Sequence, residues 1–337
     1  MTGRKGGTPR ITRRTALGVG IGAGLLAAPA VLRAQGAWPN KPITLFVGYP
    51  PGGQTDFAAR VLQQGLSTAL GQTVVIENRG GAGGNLATDV VLRAPPDGYR
   101  LLAGNASITI NPHTMQGTVS DPLQLTSIGL MLQSPLVLCV HPSVPAKSAQ
   151  EYADWARQHE AKDATNYGSS GPGSMTHVAF ELFRERIGKP NLVHIPYRGS
   201  GPAMQDFLAG RFSAMFDAAS VLAPYIKAGQ LRPILSTGEQ RIPAFPDIPT
   251  AAEQGIKEFA FITFLGLYGP PKLPPEIVQK ANAALNTALQ DSNVRTRFTE
   301  KGDDPGGGTA EDLAKLTKEH YALWGEVAKA SNIRADQ

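Results

Sequence analysis

Two loops in this chain bring together residue types that can hold an anion, a third position offers a carboxylate, and a fourth loop imitates a nucleotide loop. The first is Tyr49-Pro50-Pro51-Gly52-Gly53-Gln54-Thr55-Asp56. Two glycines let the backbone approach a ligand closely, and a helix starting here presents unpaired N–H groups at its positive dipole end. Carboxylate or phosphate is the natural guest. The same residues also suit a plain strand–helix turn in which Thr55 or Asp56 caps the helix. The second is Tyr167-Gly-Ser169-Ser170-Gly171-Pro-Gly173-Ser174-Met-Thr-His177, whose hydroxyls and amides suit a second anionic group. A nucleophilic serine would call for G-x-S-x-G, but the residues read Gly168-Ser169-Ser170-Gly171-Pro172. His177 falls inside the following helix, where it serves as a structural contact of the loop. The third feature is Asp217, at the end of the strand-like stretch Gly210-Arg-Phe-Ser-Ala-Met-Phe216. There a carboxylate either faces a cleft, to receive a ligand hydroxyl or amine, or caps the next helix. The fourth loop, Asn78 to Asn85, is glycine-rich but has neither the Walker lysine nor G-x-G-x-x-G, and reads as a turn.

Other chemistries find little material. The single Cys139 excludes a disulfide framework and a thiolate metal cluster, and it sits in Pro135-Leu-Val-Leu-Cys-Val140 as a buried apolar filler. The six histidines are scattered without zinc-ligand spacing, so neither a metal nor a cofactor is expected. The formal charge of +5 suggests nucleic acid only until it is located. Six of the 32 Lys and Arg lie in residues 1–37 with no acid among them, so the other 300 residues carry 26 basic against 27 acidic side chains. No basic run is left to follow phosphates.

Residues 1–37 read as an export leader. Arg13-Arg14 give a twin-arginine pattern, an uncharged run follows from Ala16 to Leu32, and small residues suited to cleavage surround Ala34-Gln-Gly-Ala37. The run is only 17 residues long and contains Pro29, short of a spanning helix. The expectation is a periplasmic protein whose leader is removed.

The elements that position these loops alternate. Strands are expected at 43–47, 74–76, 100–103, 136–140, 164–168, 192–195, 212–216, 232–236 and 261–268. Helices are expected at 55–70, 85–93, 148–159, 175–187, 200–209, 220–228, 274–290, 292–301 and 310–330. Strands separated by helices imply parallel α/β sheets, and such sheets bind ligands beyond the carboxyl ends of their strands. At 337 residues the chain has length for two domains.

Along the mature chain, in order, run Trp38-Pro-Asn-Lys-Pro-Ile43, Pro50-Pro-Gly-Gly-Gln-Thr-Asp56, Leu70-Gly-Gln-Thr-Val-Val-Ile-Glu-Asn-Arg79, Pro96-Asp-Gly-Tyr99, Tyr167-Gly-Ser-Ser-Gly171, Ile195-Pro-Tyr-Arg-Gly199, Phe245-Pro-Asp-Ile-Pro-Thr250 and Gly266-Leu-Tyr-Gly-Pro270. In these the sequence resembles the Bug-type substrate-binding proteins of tripartite tricarboxylate transporters. Two departures are Phe261-Ile-Thr-Phe264, where the family often has Trp, and Arg198 in place of a common Lys.

The resemblance implies a type II periplasmic binding protein fold. Two α/β lobes, 38–138 plus 262–337 and 139–261, would be joined by crossing hinge strands. It implies a monomeric, non-enzymatic receptor that takes a small carboxylate and delivers it to the large and small integral membrane subunits of the transporter. One ligand carboxylate is then expected on the first loop, at Tyr49, Pro51, Gly52, Gly53, Thr55 and Asp56. Ser169, Ser170, Gly173, Ser174 and His177 answer from the second lobe, with Asp217 nearby and Asn105 and Ser107 adding first-lobe contacts. The alternatives are an exported serine hydrolase and a ligand-sensing module without a transporter.

Overall fold

The computed structural model describes residues 1–3, 6–7, 38–117, 119–159, 165–330 and 334. The chain divides into two units, Met1–Ala37 and Trp38–Gln337. The twin-arginine pattern and the apolar run of the leader lie outside the described residues.

In the second unit the order is β1 (Ile43–Val47), α1 (Gln54–Leu70), β2 (Val74–Asn78), α2 (Asn85–Leu92), β3 (Arg100–Asn105), α3 (Ser107–Thr114) and β4 (Thr126–Val140). There follow α4 (Ala149–His159), β5 (Asn166–Ser169), α5 (Met175–Arg186), β6 (Val193–Pro196), α6 (Ser200–Leu208), β7 (Ala214–Ala218), α7 (Ala219–Lys227) and β8 (Arg232–Ser236). The chain continues through β9 (Ile262–Gly269), α8 (Pro275–Gln290), α9 (Ser292–Thr299), β10 (Asp304–Gly307) and α10 (Ala310–Ala330).

Periodicity explains the first helix. Ala58, Val61, Leu62, Leu66 and Leu70 share one face of α1 and all are buried. Gly71 ends it in the left-handed conformation at φ 67°, with its N–H bonded to the Thr68 carbonyl. Gly65 lets α8 come close, because a Cβ there would stand 2.7 Å from the Cβ of Ala288.

The sheet order is β2-β1-β3-β9-β4-β7-β5-β6, with β8 and β10 also on β4. The expectation of parallel sheets holds only in part. β1 is parallel to β2 and β3, and β5 to β6 and β7. β9 runs antiparallel to β3 and β4, and β7 and β8 antiparallel to β4. The reason is that β4 and β9 are crossing strands, which no βαβ connection obliges to run parallel.

β4 belongs to both halves. Thr126–Pro135 pair with β9, and Leu136–Val140 pair with β7 and β8. Thr237 ties the crossing together: its N–H donates to the Leu136 carbonyl (2.9 Å) and its Oγ1 accepts from the Leu136 N–H (2.9 Å). Phe261 N–H then donates to the Thr237 carbonyl at 2.8 Å, just before β9 begins.

The apolar core falls into clusters, the largest of which also takes in Ile110 of α3 and Trp324 of α10. One gathers Leu45, Leu62, Leu132 and Leu285; the largest gathers Tyr152, Tyr167, Phe180, Phe207 and Phe216, with Cys139 fully buried among them. Burying side chains of this size contributes about 1.5–3 kcal/mol each.

Candidate ligand-binding site

The two lobes meet over a pocket of about 40 Å³ whose floor includes Leu136 and Thr263 of the crossing strands. Its wall is made of helix beginnings. Gln54 starts α1, Ser107 starts α3, Met175 starts α5, Ser200 starts α6, and Ala218 is the residue before α7. The first N–H groups of a helix have no partner within it and lie at its positive dipole end. Five such ends therefore converge, two from the first lobe and three from the second. Among the described residues no Lys, Arg or His lines the pocket.

The first loop is shaped from behind. Gly52 takes φ 101°, which favours glycine, and Gly53 is the N-cap of α1 with no side-chain cap bond. The expectation that Thr55 or Asp56 caps this helix is therefore corrected: both already lie inside its first turn. Asp56 is buried and turned away from the pocket, toward Arg60 (2.9 Å), the Asn78 amide (2.9 Å) and the Gly52 N–H (3.3 Å). Burial works to raise its pKa, but the Arg60, Asn78 and Gly52 donors outweigh it and hold the carboxyl below its usual range. Thr55 and Gly53 line the pocket, while Pro51 is exposed and its carbonyl faces Gly201 of the second lobe. Tyr49, also in the lining, donates its hydroxyl to the Gly83 carbonyl at 2.9 Å.

Asn105 and Ser107 both reach the pocket. Asn105 Oδ1 accepts the Ser107 N–H at 3.2 Å, and Ser107 Oγ accepts the Met175 N–H at 3.1 Å, joining the lobes directly.

The second loop separates into two groups. Ser170 lines the pocket, and its N–H donates to Thr176 Oγ1 at 2.9 Å. Ser169, Gly173, Ser174 and His177 lie outside the lining and build the loop instead. Ser174 caps α5, its Oγ accepting the His177 N–H at 3.3 Å. Ser169 Oγ sits 2.7 Å from His194 Nε2 and is fully buried. Gly173, at φ 71°, presses on α3, where a Cβ would meet Thr114 Oγ1 at 2.9 Å. Its N–H donates to His177 Nδ1 at 3.2 Å, and the His177 ring stacks on His194 at 4.1 Å. Burial, with Arg184 adding, pushes His177 down to about 4, so this ring is a neutral acceptor holding the loop.

Asp217 lies within β7 and lines the pocket, 3% exposed. It does not cap α7, which has no side-chain cap bond. Its Oδ1 accepts the Ala218 N–H at 2.8 Å, and its Oδ2 is buried without a hydrogen-bond partner. Burial pushes its pKa up to about 6, against the lowering influence of Ser200 and Ala218.

Sequence reasoning overlooked Gln54, Leu136, Met175, Thr176, Ser200, Ala218 and Thr263. The loop after β6 obeys the same strand-to-helix rule that exposed the other loops, so Ser200 was findable. Leu136 and Thr263 carry no local signal, because their place depends on the lobes meeting.

Two α/β lobes joined by crossing strands, with a pocket where their loops meet, define a two-lobe solute-binding protein of the periplasmic binding protein type. Residues 58–333 match the family described as "Tripartite tricarboxylate transporter family receptor", and the chain belongs to that family. It is similar to the periplasmic binding protein BugD at 30% identity and a TM-score of 0.84, over 88% of this chain and 99% of that one. It is also similar to MatC from Rhodopseudomonas palustris with bound malate, at 31% identity and a TM-score of 0.80, over 86% and 99% of the two chains. A further R. palustris protein, solved with adipate, matches at 31% identity and a TM-score of 0.83, over 88% and 99%. Among the described residues no helix is long and apolar enough to cross a membrane, and no His, Cys, Asp and Glu group is arranged to hold a metal ion.

Proposed function

We propose that this chain is an extracytoplasmic solute receptor. It captures a small carboxylated ligand between its lobes and delivers it, as a periplasmic monomer freed of its leader, to the large and small membrane subunits of a tripartite tricarboxylate-type transporter. The observation that carries this reading is the convergence of five helix N-termini on a pocket lined, among the described residues, by no basic side chain. Helix-start amides are suited to a carboxylate, as charge-assisted hydrogen bonds replace its water; those of Ser107, Met175 and Ala218 are held here by Asn105, Ser107 and Asp217 and would exchange these partners for the ligand. The similar structures holding malate and adipate support the same ligand class.

The proposed lobes are 38–138 plus 262–337 and 139–261. Tyr49, Gly53, Thr55, Asn105, Ser107, Ser170 and Asp217 face the ligand, and Pro51, Gly52, Asp56, Ser169, Gly173, Ser174 and His177 hold the loops that present them. The work is capture and release, driven by tighter binding to the closed arrangement than to an open one. A serine hydrolase with Ser169, Ser170 or Ser174 as nucleophile and His177 as base gains no support: His177 lies outside the lining, accepting the Gly173 N–H and stacked on His194, and Ser170, the one of these serines in the lining, pairs with Thr176.

A thermal-shift screen against mono-, di- and tricarboxylates tests this. A ligand at 100 times its Kd adds about 2.7 kcal/mol, which raises the Tm of a body this size by about 4 °C. The expected result is a shift with the ligand recovered unchanged. Conversion of the ligand, or no shift with any carboxylate, overturns the reading.

A further inference from the structure

The pocket contains many donors and one misfit. Helix-start amides and the hydroxyls of Thr55, Ser107, Ser170 and Ser200 all suit a ligand carboxylate. Asp217 does not: among the described residues it is the one side chain in the lining with a formal charge, and an ionised carboxylate accepts only. It lies opposite Val137 of β4, so its backbone is fixed in the sheet and it cannot readily swing to solvent. Its Oδ1 is satisfied by Ala218, but its Oδ2 is buried with no partner. An orphaned buried acceptor costs free energy unless something completes it. Among the described residues no cation lines the pocket to do so. A diacid with no other polar group would bring like charge toward this carboxylate in a desolvated space, leaving the orphan in place.

We propose that the ligand carries a hydrogen-bond donor, a hydroxyl or an ammonium, beside its carboxylate, and that Asp217 Oδ2 receives it. This rests on the receptor reading above and narrows its ligand class to hydroxy- or amino-substituted carboxylates. Burial, which already pushes Asp217 up to about 6, makes a donor on the ligand the more valuable. A site that hydrogen-bonds a ligand OH or NH discriminates strongly against the analogue lacking it, because its own polar group is then left unpaired.

The test is titration calorimetry of the full chain with matched triples: propionate, lactate and alanine; succinate, malate and aspartate; glutarate, 2-hydroxyglutarate and glutamate. In at least one triple the donor-bearing acid is expected to bind about 10- to 100-fold tighter than the plain one. Asp217→Asn separates the two donors, its folding checked by its Tm. An asparagine oxygen still accepts from a hydroxyl, so a hydroxy-acid preference survives in part, whereas an ammonium preference disappears. Plain and substituted acids binding alike in every triple that binds, in wild type and Asp217→Asn, overturns this inference and leaves the receptor reading intact. No binding by any acid overturns both.

Discussion

The second buried carboxylate offers a test of how the crossing region is built. Asp303 lies beside Pro135, Gly238 and Ile262, is 1% exposed, and accepts the Gln54 amide at 2.9 Å on Oδ1 while its Oδ2 is unpartnered. Burial pushes its carboxyl from 3.8 up to about 6; the Ser220, Ser134 and Gln54 donors pull it back, and neighbouring Asp304 adds to the rise. A folded-state pKa above the unfolded one means that folding disfavours the charged form. Stability is therefore fully present below about pH 4 and is lost as the pH rises through about 6. A gap of about two pH units at 1.36 kcal/mol each amounts to about 3 kcal/mol at pH 8. Asp303→Asn removes the charge, keeps an acceptor for Gln54 and offers an N–H to the neighbouring serines. With an unfolding entropy of about 2.1 cal/mol/K per residue, the variant should melt about 5 °C above wild type at pH 8. At pH 4 the two should coincide. Asp217 is present in both proteins and cancels from the comparison. Calorimetric melts at the two pH values decide it. Equal Tm at pH 8, or the same offset at both pH values, refutes the reasoning.

Three further outcomes follow from the same geometry. Gly53→Val is sterically allowed, since Gly53 has φ −89° and ψ 172°, but its side chain would project toward Ser200 at 3.7 Å and fill the pocket. Ligand affinity should fall at least 100-fold in titration while the Tm changes little, and normal binding would remove the first loop from the site. Ser107→Ala deprives the Met175 N–H of its acceptor across the lobes, at a cost of about 1 kcal/mol, so affinity should drop about fivefold. Asp56→Ala leaves Gly52, Asn78 and Arg60 without their shared acceptor; urea unfolding should show a loss of about 2 kcal/mol. An unchanged midpoint would mean that the first loop holds its shape unaided.

Legibility followed whether a residue's role is local. Gly52-Gly53 before an apolar stripe, Gly71 after it, and Asp217 at the end of the strand-like stretch 210–216 are read from neighbours a few residues away. Helix α3 carries no such local signal. It contains Pro112, and Ser107 to Asn111 are all buried, so this helix has no polar stripe to betray its period. Strand β10, Asp304-Pro-Gly-Gly307, has poor strand formers and owes its form to pairing with β4. The first half of β4 went unread because its partners, β9 and β10, arrive more than a hundred residues later. In the site, loop membership was legible but facing was not. Asp56 and Thr55 are adjacent in one turn, yet the first meets Arg60 and the second the pocket. Only the arrival of Arg60, Asn78 and the opposite lobe separates them.

The most direct measurement follows the backbone amides of the 15N-labelled protein by NMR as a carboxylate hit from the screen is added. The largest shifts are expected at the five helix starts, Gln54 and Thr55, Ser107, Met175 and Thr176, Ser200, and Ala218 and Ala219. Shifts gathered elsewhere, with these amides unmoved at saturation, would contradict this.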